Sequence, residues 1–379
     1  MKISRIKTTP LLVPYKKPYH WAQGIMHNAG VLLVEVHTDD GIVGIGECVA
    51  TPSAAAIQSY LKLAEGICLG RDPFENTRLM GECYHTLFQV FGTISAPRFS
   101  GQVLAGLEMA LWDVMGKATG RAVHELLGGA VRDEIAYFGF PQGGTAEEIA
   151  GEAREMAEAG HDVIYVKVGR GDALDLEIVR QVRVAIGPDK RLRMDPNEHW
   201  SPVRAARMIR KMAEFDIDMV EQPTNAESIS ALAQVRANSP VAIAADQLVF
   251  TPYDAYNVCR EKAADLIVLG LHESGGIARF RKIAHIAEAA GIDICLHGIY
   301  ETGITTAASN QVAATLPNLD DGNQFMNHLL QWDIVKKPDL ALRNGRLAVL
   351  PGPGLGLELD TDAVVRAAEA HIKDSENIG

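Results

Sequence analysis

The chain has 379 residues, 47% of them apolar, and a formal net charge of −12. That length suits one large domain with a smaller one, and the acidic balance disfavours nucleic acid and anionic membranes as partners. No apolar run reaches the roughly 18 residues of a membrane span, and Met1-Lys2-Ile3-Ser4 starts directly with strand-like sequence instead of a secretory signal, so a cytoplasmic protein is expected.

In chain order, Val31 to Val36, a turn at Asp39-Asp40-Gly41 and Ile42 to Glu47 read as an antiparallel hairpin. From about Pro52 to about Leu127 the apolar spacing is helical, as in Ala105, Leu107, Ala110, Leu111 and Val114. The pattern then changes to alternating strands and helices. Strands are predicted at Ile135 to Phe138, Val163 to Val168, Leu192 to Asp195, Met219 to Glu221, Val241 to Asp246, Leu266 to Leu269, Ile292 to His297 and roughly Gln324 to Asn327. Helices lie between most of them, for example Ala146 to Ala159 and Pro202 to Phe215. Such βα repeats imply parallel strands with crossover helices, and this number of them implies an α/β fold with a closed (β/α)8 TIM-type barrel. The expected organisation is an α+β capping domain over 1–127, a barrel over 128–350 and a tail over 351–379 that returns to the cap. The tail begins with Pro351-Gly352-Pro353-Gly354, which cannot be regular structure. Cys48, Cys68, Cys83, Cys259 and Cys295 are an odd set without a Cys-x-x-Cys pair and read as reduced thiols.

In a barrel, active sites form at the carboxyl ends of the strands. There this sequence places Lys167, Asp195, Glu221, Asp246 and His297. Asp195, Glu221 and Asp246 close three successive strands, about one βα unit apart. Converging carboxylates repel and raise one another's pKa, and a hard divalent cation resolves the conflict; an all-oxygen set favours magnesium over zinc, with manganese as a substitute. Lys167 and His297 flank that trio on either side. They suit proton transfer at the carbon next to a metal-bound carboxylate, with the metal stabilising the enediolate and lowering the pKa of Lys167. Singly, each residue has a plainer reading. An acid can cap a helix, a lysine can close a strand or form a Schiff base, and a histidine can be packed in the core.

Further short segments join this set: Gly41 to Glu47, Ala110-Leu111-Trp112-Asp113, Val166-Lys167-Val168-Gly169, Asp195-Pro196-Asn197, Val220-Glu221-Gln222-Pro223, Ala245-Asp246, Ser274-Gly275-Gly276-Ile277 and Glu301-Thr302-Gly303. In order and spacing, over nearly the whole chain, they resemble the mandelate racemase and muconate lactonizing branch of the enolase superfamily. The resemblance implies one magnesium ion per subunit on Asp195, Glu221 and Asp246, with Lys167 as an acid/base. It implies a capping-domain loop over the substrate from Tyr15 to Asn28 that carries Tyr19, with Trp21, Met26, His20 and His27 as substrate contacts beside Tyr165, Asn197 and Glu301. It also implies a small carboxylate substrate and a homo-oligomer, from dimer to octamer.

The sequence departs from that pattern in three places. Tyr165 stands where the family often has a second lysine two residues before the base, and its hydroxyl is expected to donate to the substrate carboxylate. Gly270 stands at the end of strand six, where muconate-type relatives carry a lysine and racemase-type relatives an aspartate that orients the histidine. His297 therefore lacks that partner, and strand eight shows no acid, Asn327 and His328 being nearest. On these grounds the expected reaction is dehydration of a hydroxylated carboxylate such as an acid sugar, Lys167 removing the α-proton and His297 helping the β-hydroxyl leave. The alternative is a racemase, epimerase or cycloisomerase in which the two groups serve opposite faces. A Schiff-base aldolase and a non-catalytic binding protein are the readings from other classes.

Overall fold

The computed structural model describes residues 1–90 and 96–377. Its first layer is an antiparallel sheet of β1 (Ile3–Trp21), β2 (Gly24–Thr38) and β3 (Val43–Val49), in that order. β2 and β3 are the expected hairpin, with Val36 opposite Gly44 and Gly41 at a φ of 87° in the turn. β1 extends the sheet beyond that expectation. Helices α1 (Ala54–Cys68), α2 (Asn76–Tyr84) and α3 (Pro97–Thr119) cover one face of the sheet. They form the helical stretch read from the sequence, of which residues 91–95 lie outside the described residues. α3 lies close on β3 because Gly46 has no side chain. A Cβ there would sit 2.0 Å from the Gly106 carbonyl oxygen.

After the short α4 (Val123–Leu126), β4 (Glu134–Ala136) leads into the barrel. The repeats follow as α5 (Ala146–Glu158), β5 (Val163–Lys167), α6 (Asp172–Ile186), β6 (Arg191–Asp195), α7 (Pro202–Met212) and β7 (Ile217–Glu221). They continue as α8 (Ile229–Ala237), β8 (Ala242–Ala245), α9 (Pro252–Arg260), β9 (Leu266–Leu269), a single turn α10 (Leu271–Ser274), α11 (Ile277–Ala289), β10 (Asp293–Leu296) and α12 (Gly303–Ala313). The helices start where the sequence supplies caps. Thr145 and Glu148 cap each other's backbone at α5, and Ser201 caps α7 ahead of Pro202.

β5 to β10 form one parallel sheet in sequence order. Isolated bridges close it into a barrel. Gly139 pairs with Ile164 on one side, Leu319 pairs with Ile294 on the other, and Tyr137 meets Asn323 across the seam. The eighth strand thus runs near 319–324, ahead of the predicted 324–327. Asn327 instead opens a 3-10 turn, Asn327–Leu329. The first barrel strand is also shifted, because β4 itself pairs antiparallel with β12 (Arg346–Ala348) and the barrel contacts begin at Tyr137. β11 (Val335–Lys337) pairs with β13 (Glu358–Leu359), and the final helix α13 (Thr361–Asn377) packs on β1.

Two buried carboxylates of the N-terminal layer tie it to the barrel. Glu47 on β3 accepts hydrogen bonds from the Thr302 hydroxyl at 2.6 Å and from the Thr302 and Thr305 amides at 3.0 Å, at the start of α12. Glu108 on α3 accepts from the Ile277 amide at 2.7 Å and the Ala278 amide at 3.1 Å, at the start of α11. Each acid satisfies amides that a helix N-terminus leaves without a partner, and its charge suits the positive end of the helix. Removing Glu47 strands these buried donors. Glu47→Ala is expected to lower stability by about 3 kcal/mol, read as a lower urea midpoint at unchanged m.

Candidate active site

Side chains alternate along a strand, so residues two apart share a face. Lys167, Asp195 and Glu221 are the last residues of β5, β6 and β7. Asp246, Gly270 and His297 directly follow β8, β9 and β10. Two positions earlier on the same face lie Tyr165, Arg193, Met219, Ala244, Val268 and Cys295. Of these, Met219, Ala244, Val268 and Cys295 pack as a small cluster of their own. Arg193 is fully buried beside them, paired with Asp218 at 2.7 Å and Asp320 at 2.5 Å. This interior floor fixes the height of the row of polar residues above it.

Asp195 is saturated. Its Oδ1 accepts from the Asn197 amide at 2.7 Å, and its Oδ2 accepts from the Tyr165 hydroxyl at 2.7 Å and from Lys167 Nζ. Burial works against the charge of Lys167, but Asp195, Tyr19 and Glu221 outweigh it and raise its pKa. Glu221 and Asp246 are different. Glu221 Oε1 and both Asp246 oxygens are buried without a hydrogen-bond partner. Burial, followed by Asp195 and Asp246, pushes the Glu221 carboxyl well above its usual range. Burial, followed by Glu273 and Asp195, does the same to Asp246. One ligand-capable atom from each of Glu221, Asp246 and His297 lies within 4.8 Å of the others. Orphaned, mutually repelling carboxylate oxygens in a dry site fit a hard divalent cation.

His297 does have an acidic partner. Its Nδ1 donates to Glu273 Oε2 at 2.7 Å and lies 3.5 Å from Asp246 Oδ1. Burial opposes protonation of the ring, yet Glu273 outweighs burial and raises the His297 pKa, while His297 helps hold Glu273 down at about 2 against its own burial. Sequence reasoning stopped at Gly270 and missed Glu273, one helical turn later. The available signal was an acid next to a histidine between Gly270 and Gly275-Gly276.

Lys167 and His297 line one cavity of about 60 Å³ together with Tyr19, Trp21, Gln23, Arg98, Asn197, Glu198, Gln247, Tyr300 and Met326. A larger hollow of about 600 Å³, bordered by Lys16, His161, His328 and Asp333, shares neither Lys167 nor any of the clustered acids. The expected loop from Tyr15 to Asn28 is the tip of the β1–β2 hairpin, in which Tyr19 faces Met26, His20 faces Ile25 and Trp21 faces Gly24. Strand alternation sends Tyr19 and Trp21 to the cavity. His20, on the opposite face, His27, which is exposed, and Met26, which packs on the core, do not line it. Tyr165 is buried against Phe138, their rings stacked at 4.4 Å, and its hydroxyl serves Asp195 where a contact with the substrate carboxylate was expected. Glu301 is also buried away from the cavity, its Oε2 accepting from the Ile299 amide at 3.3 Å. Gln23, Arg98, Gln247, Tyr300 and Met326 join the site without having been singled out in the sequence.

Among the described residues no helix is long and apolar enough to cross a membrane. Two family models match the chain: "Mandelate racemase / muconate lactonizing enzyme, N-terminal domain" over residues 4–128 and "Enolase C-terminal domain-like" over residues 148–363. The chain is 31% identical to D-galactarolactone cycloisomerase of Agrobacterium fabrum, over 96% of this chain and 98% of that one. It is 32% identical to muconate cycloisomerase 1 of Rhodococcus opacus, again over 96% and 98%. The solved dipeptide epimerase of Enterococcus faecalis, complexed with Mg and the dipeptide L-Leu-L-Tyr, superposes with a TM-score of 0.87 at 26% identity, covering 94% of this chain and 100% of that one. These relatives are isomerases, which favours the isomerase alternative over the expected dehydration. The chain is an enzyme of the enolase superfamily and belongs to its mandelate racemase and muconate lactonizing branch.

Proposed function

We propose that this enzyme is an isomerase, an epimerase or cycloisomerase, that moves the proton α to the carboxylate of a hydroxylated acid. The observation that carries this reading is that Lys167 and His297, from the two ends of the parallel sheet, border one cavity with the buried acids between them. Two proton-transfer groups placed apart serve two faces of one carbon. Lys167 takes or returns the proton on one face, and His297 does so on the other. In an epimerisation both act on the same carbon. In a cycloisomerisation one of them moves the proton while a carbon–oxygen bond opens or closes at the neighbouring carbon.

Asp195, Glu221 and Asp246 would hold a magnesium ion. When bound, it neutralises these carboxylates, loosens the hold of Asp195 on Lys167 and balances the charge that builds on the substrate carboxylate. The cavity lining supports a hydroxylated substrate. Asn197 Oδ1, Gln247 Oε1 and Trp21 Nε1 are buried polar atoms without partners, suited to hydroxyl groups. Arg98 adds a cation that fits a second acidic group at the far end of the substrate. A lactone or open form of a dicarboxylic acid sugar meets both demands better than muconate or an apolar dipeptide does.

The deciding experiment is proton NMR in deuterated water with galactarolactone, muconate and L-Ala-D/L-Glu dipeptides, with magnesium and with chelator. Magnesium-dependent α-deuteration with isomer formation is expected for the sugar-acid lactone. A keto product with loss of water would replace the isomerase reading by dehydration, and no exchange on any member would sink it. Lys167→Ala and His297→Asn should each cut kcat by about 10³-fold, in the range for loss of an acid/base group. Asp246→Asn removes one buried, unpaired charge. In chelator at neutral pH it should stabilise the chain by about 1 kcal/mol or more, a gain that shrinks as acid protonates the raised wild-type carboxyl, and it should abolish the rise in melting temperature that magnesium gives the wild type.

A further inference from the structure

Gly270 and Glu273 occupy the same space in turn. Gly270 directly follows β9 and has an extended backbone, and α10 begins with the next residue. Glu273 sits on that turn, 2% exposed, with its carboxylate folded back towards the strand end. A Cβ on Gly270 would lie 2.9 Å from Glu273 Oε2 and 3.6 Å from its carboxyl carbon. Oε2 is also the atom that accepts from His297 Nδ1 at 2.7 Å. A carboxylate only accepts, so this bond places a proton on Nδ1 and leaves Nε2 for the cavity that His297 lines.

The turn is held firmly. The Ser274 hydroxyl donates to the Gly270 carbonyl at 2.9 Å, and His272 Nε2 meets the Thr305 hydroxyl at 2.9 Å. α3 presses on it from above, since a Cβ on Gly101 would sit 2.3 Å from the Glu273 carbonyl oxygen. Glu273 Oε1 makes no hydrogen bond and has the Arg98 guanidinium 3.7 Å away.

We propose that Glu273 is the positioning residue of His297, and that position 270 lacks a side chain because the Glu273 carboxylate fills the space such a side chain would need. The orienting acid has moved from the strand end to the following turn. Gly270 and Glu273 then form one unit, and a carboxylate at either position, but not at both, sets the histidine. This rests on the reading of His297 as a proton-transfer group, and it is tested without turnover, so that a failed activity assay counts against that reading alone.

The test is ¹H–¹⁵N spectroscopy of the magnesium-loaded full chain labelled at histidine nitrogen, with the His297 signals assigned by their loss in His297→Asn. The wild type is expected to show a downfield Nδ1 proton bonded to a carboxylate. Glu273→Ala should lose it, and Gly270→Asp in the Glu273→Ala background should bring it back. Gly270→Asp alone should disturb it, because two carboxylates then compete for one space. Persistence of the signal in Glu273→Ala, or its failure to return in a folded double variant, overturns the proposal. Should either variant not fold, Glu273→Gln decides: it keeps the volume and loses the charge, so the Nδ1 proton should move upfield, and an unchanged shift overturns the proposal.

Discussion

Asp195, Glu221, Asp246, Glu273 and Glu301 are all buried near the carboxyl ends of neighbouring strands, where water cannot screen them. Charge placed there must be paired, protonated or neutralised by an ion. The rest of the site follows from how each acid meets that demand. Asp195 takes Lys167, Tyr165 and a backbone amide, Glu273 takes His297, and Glu221 and Asp246 remain with bare oxygens. The basic groups are therefore held by the same acids whose repulsion they relieve.

The N-terminal layer uses the same chemistry for a different end. Glu47 and Glu108 reach from β3 and α3 to the first amides of α12 and α11. Helix ends that face the barrel mouth thus become anchors for the layer above. That anchoring fixes α3, and through it both Arg98 and the pressure on the turn that carries Glu273. The lid over the chemistry and the geometry within it are set by one group of contacts.

Much of this was legible in the sequence because period-two strands and capped helices mark the strand ends, and the carboxyl ends of barrel strands are where active sites form. Lys167, Asp195, Glu221, Asp246 and His297 were found that way. What escaped depends on features with no local period. Glu273 acts from a one-turn helix, and only the absence of a side chain at Gly270 lets its carboxylate turn back. The eighth strand joins the barrel by isolated bridges, so its run of Leu319 to Gln324 carries weak strand character. His20 and His27 attracted notice as residue types, but the pairing of Tyr19 with Met26 decides which face of the hairpin meets the cavity.

The cavity between these two layers measures about 60 Å³, well below the roughly 300 Å³ at which pockets for small organic ligands begin. Trp21 and Tyr19, from the tip of the β1–β2 hairpin, narrow it. The antiparallel ladder of that hairpin is interrupted between Pro14 and Tyr19, where the pairing register slips. A tip lifted at that interruption would widen the cavity, and a lowered one would keep bulk water from what the cavity holds. The interruption in β1 thus gives the cap a place to bend that the continuous parallel ladder of β5 and β6 in the barrel beneath it does not offer.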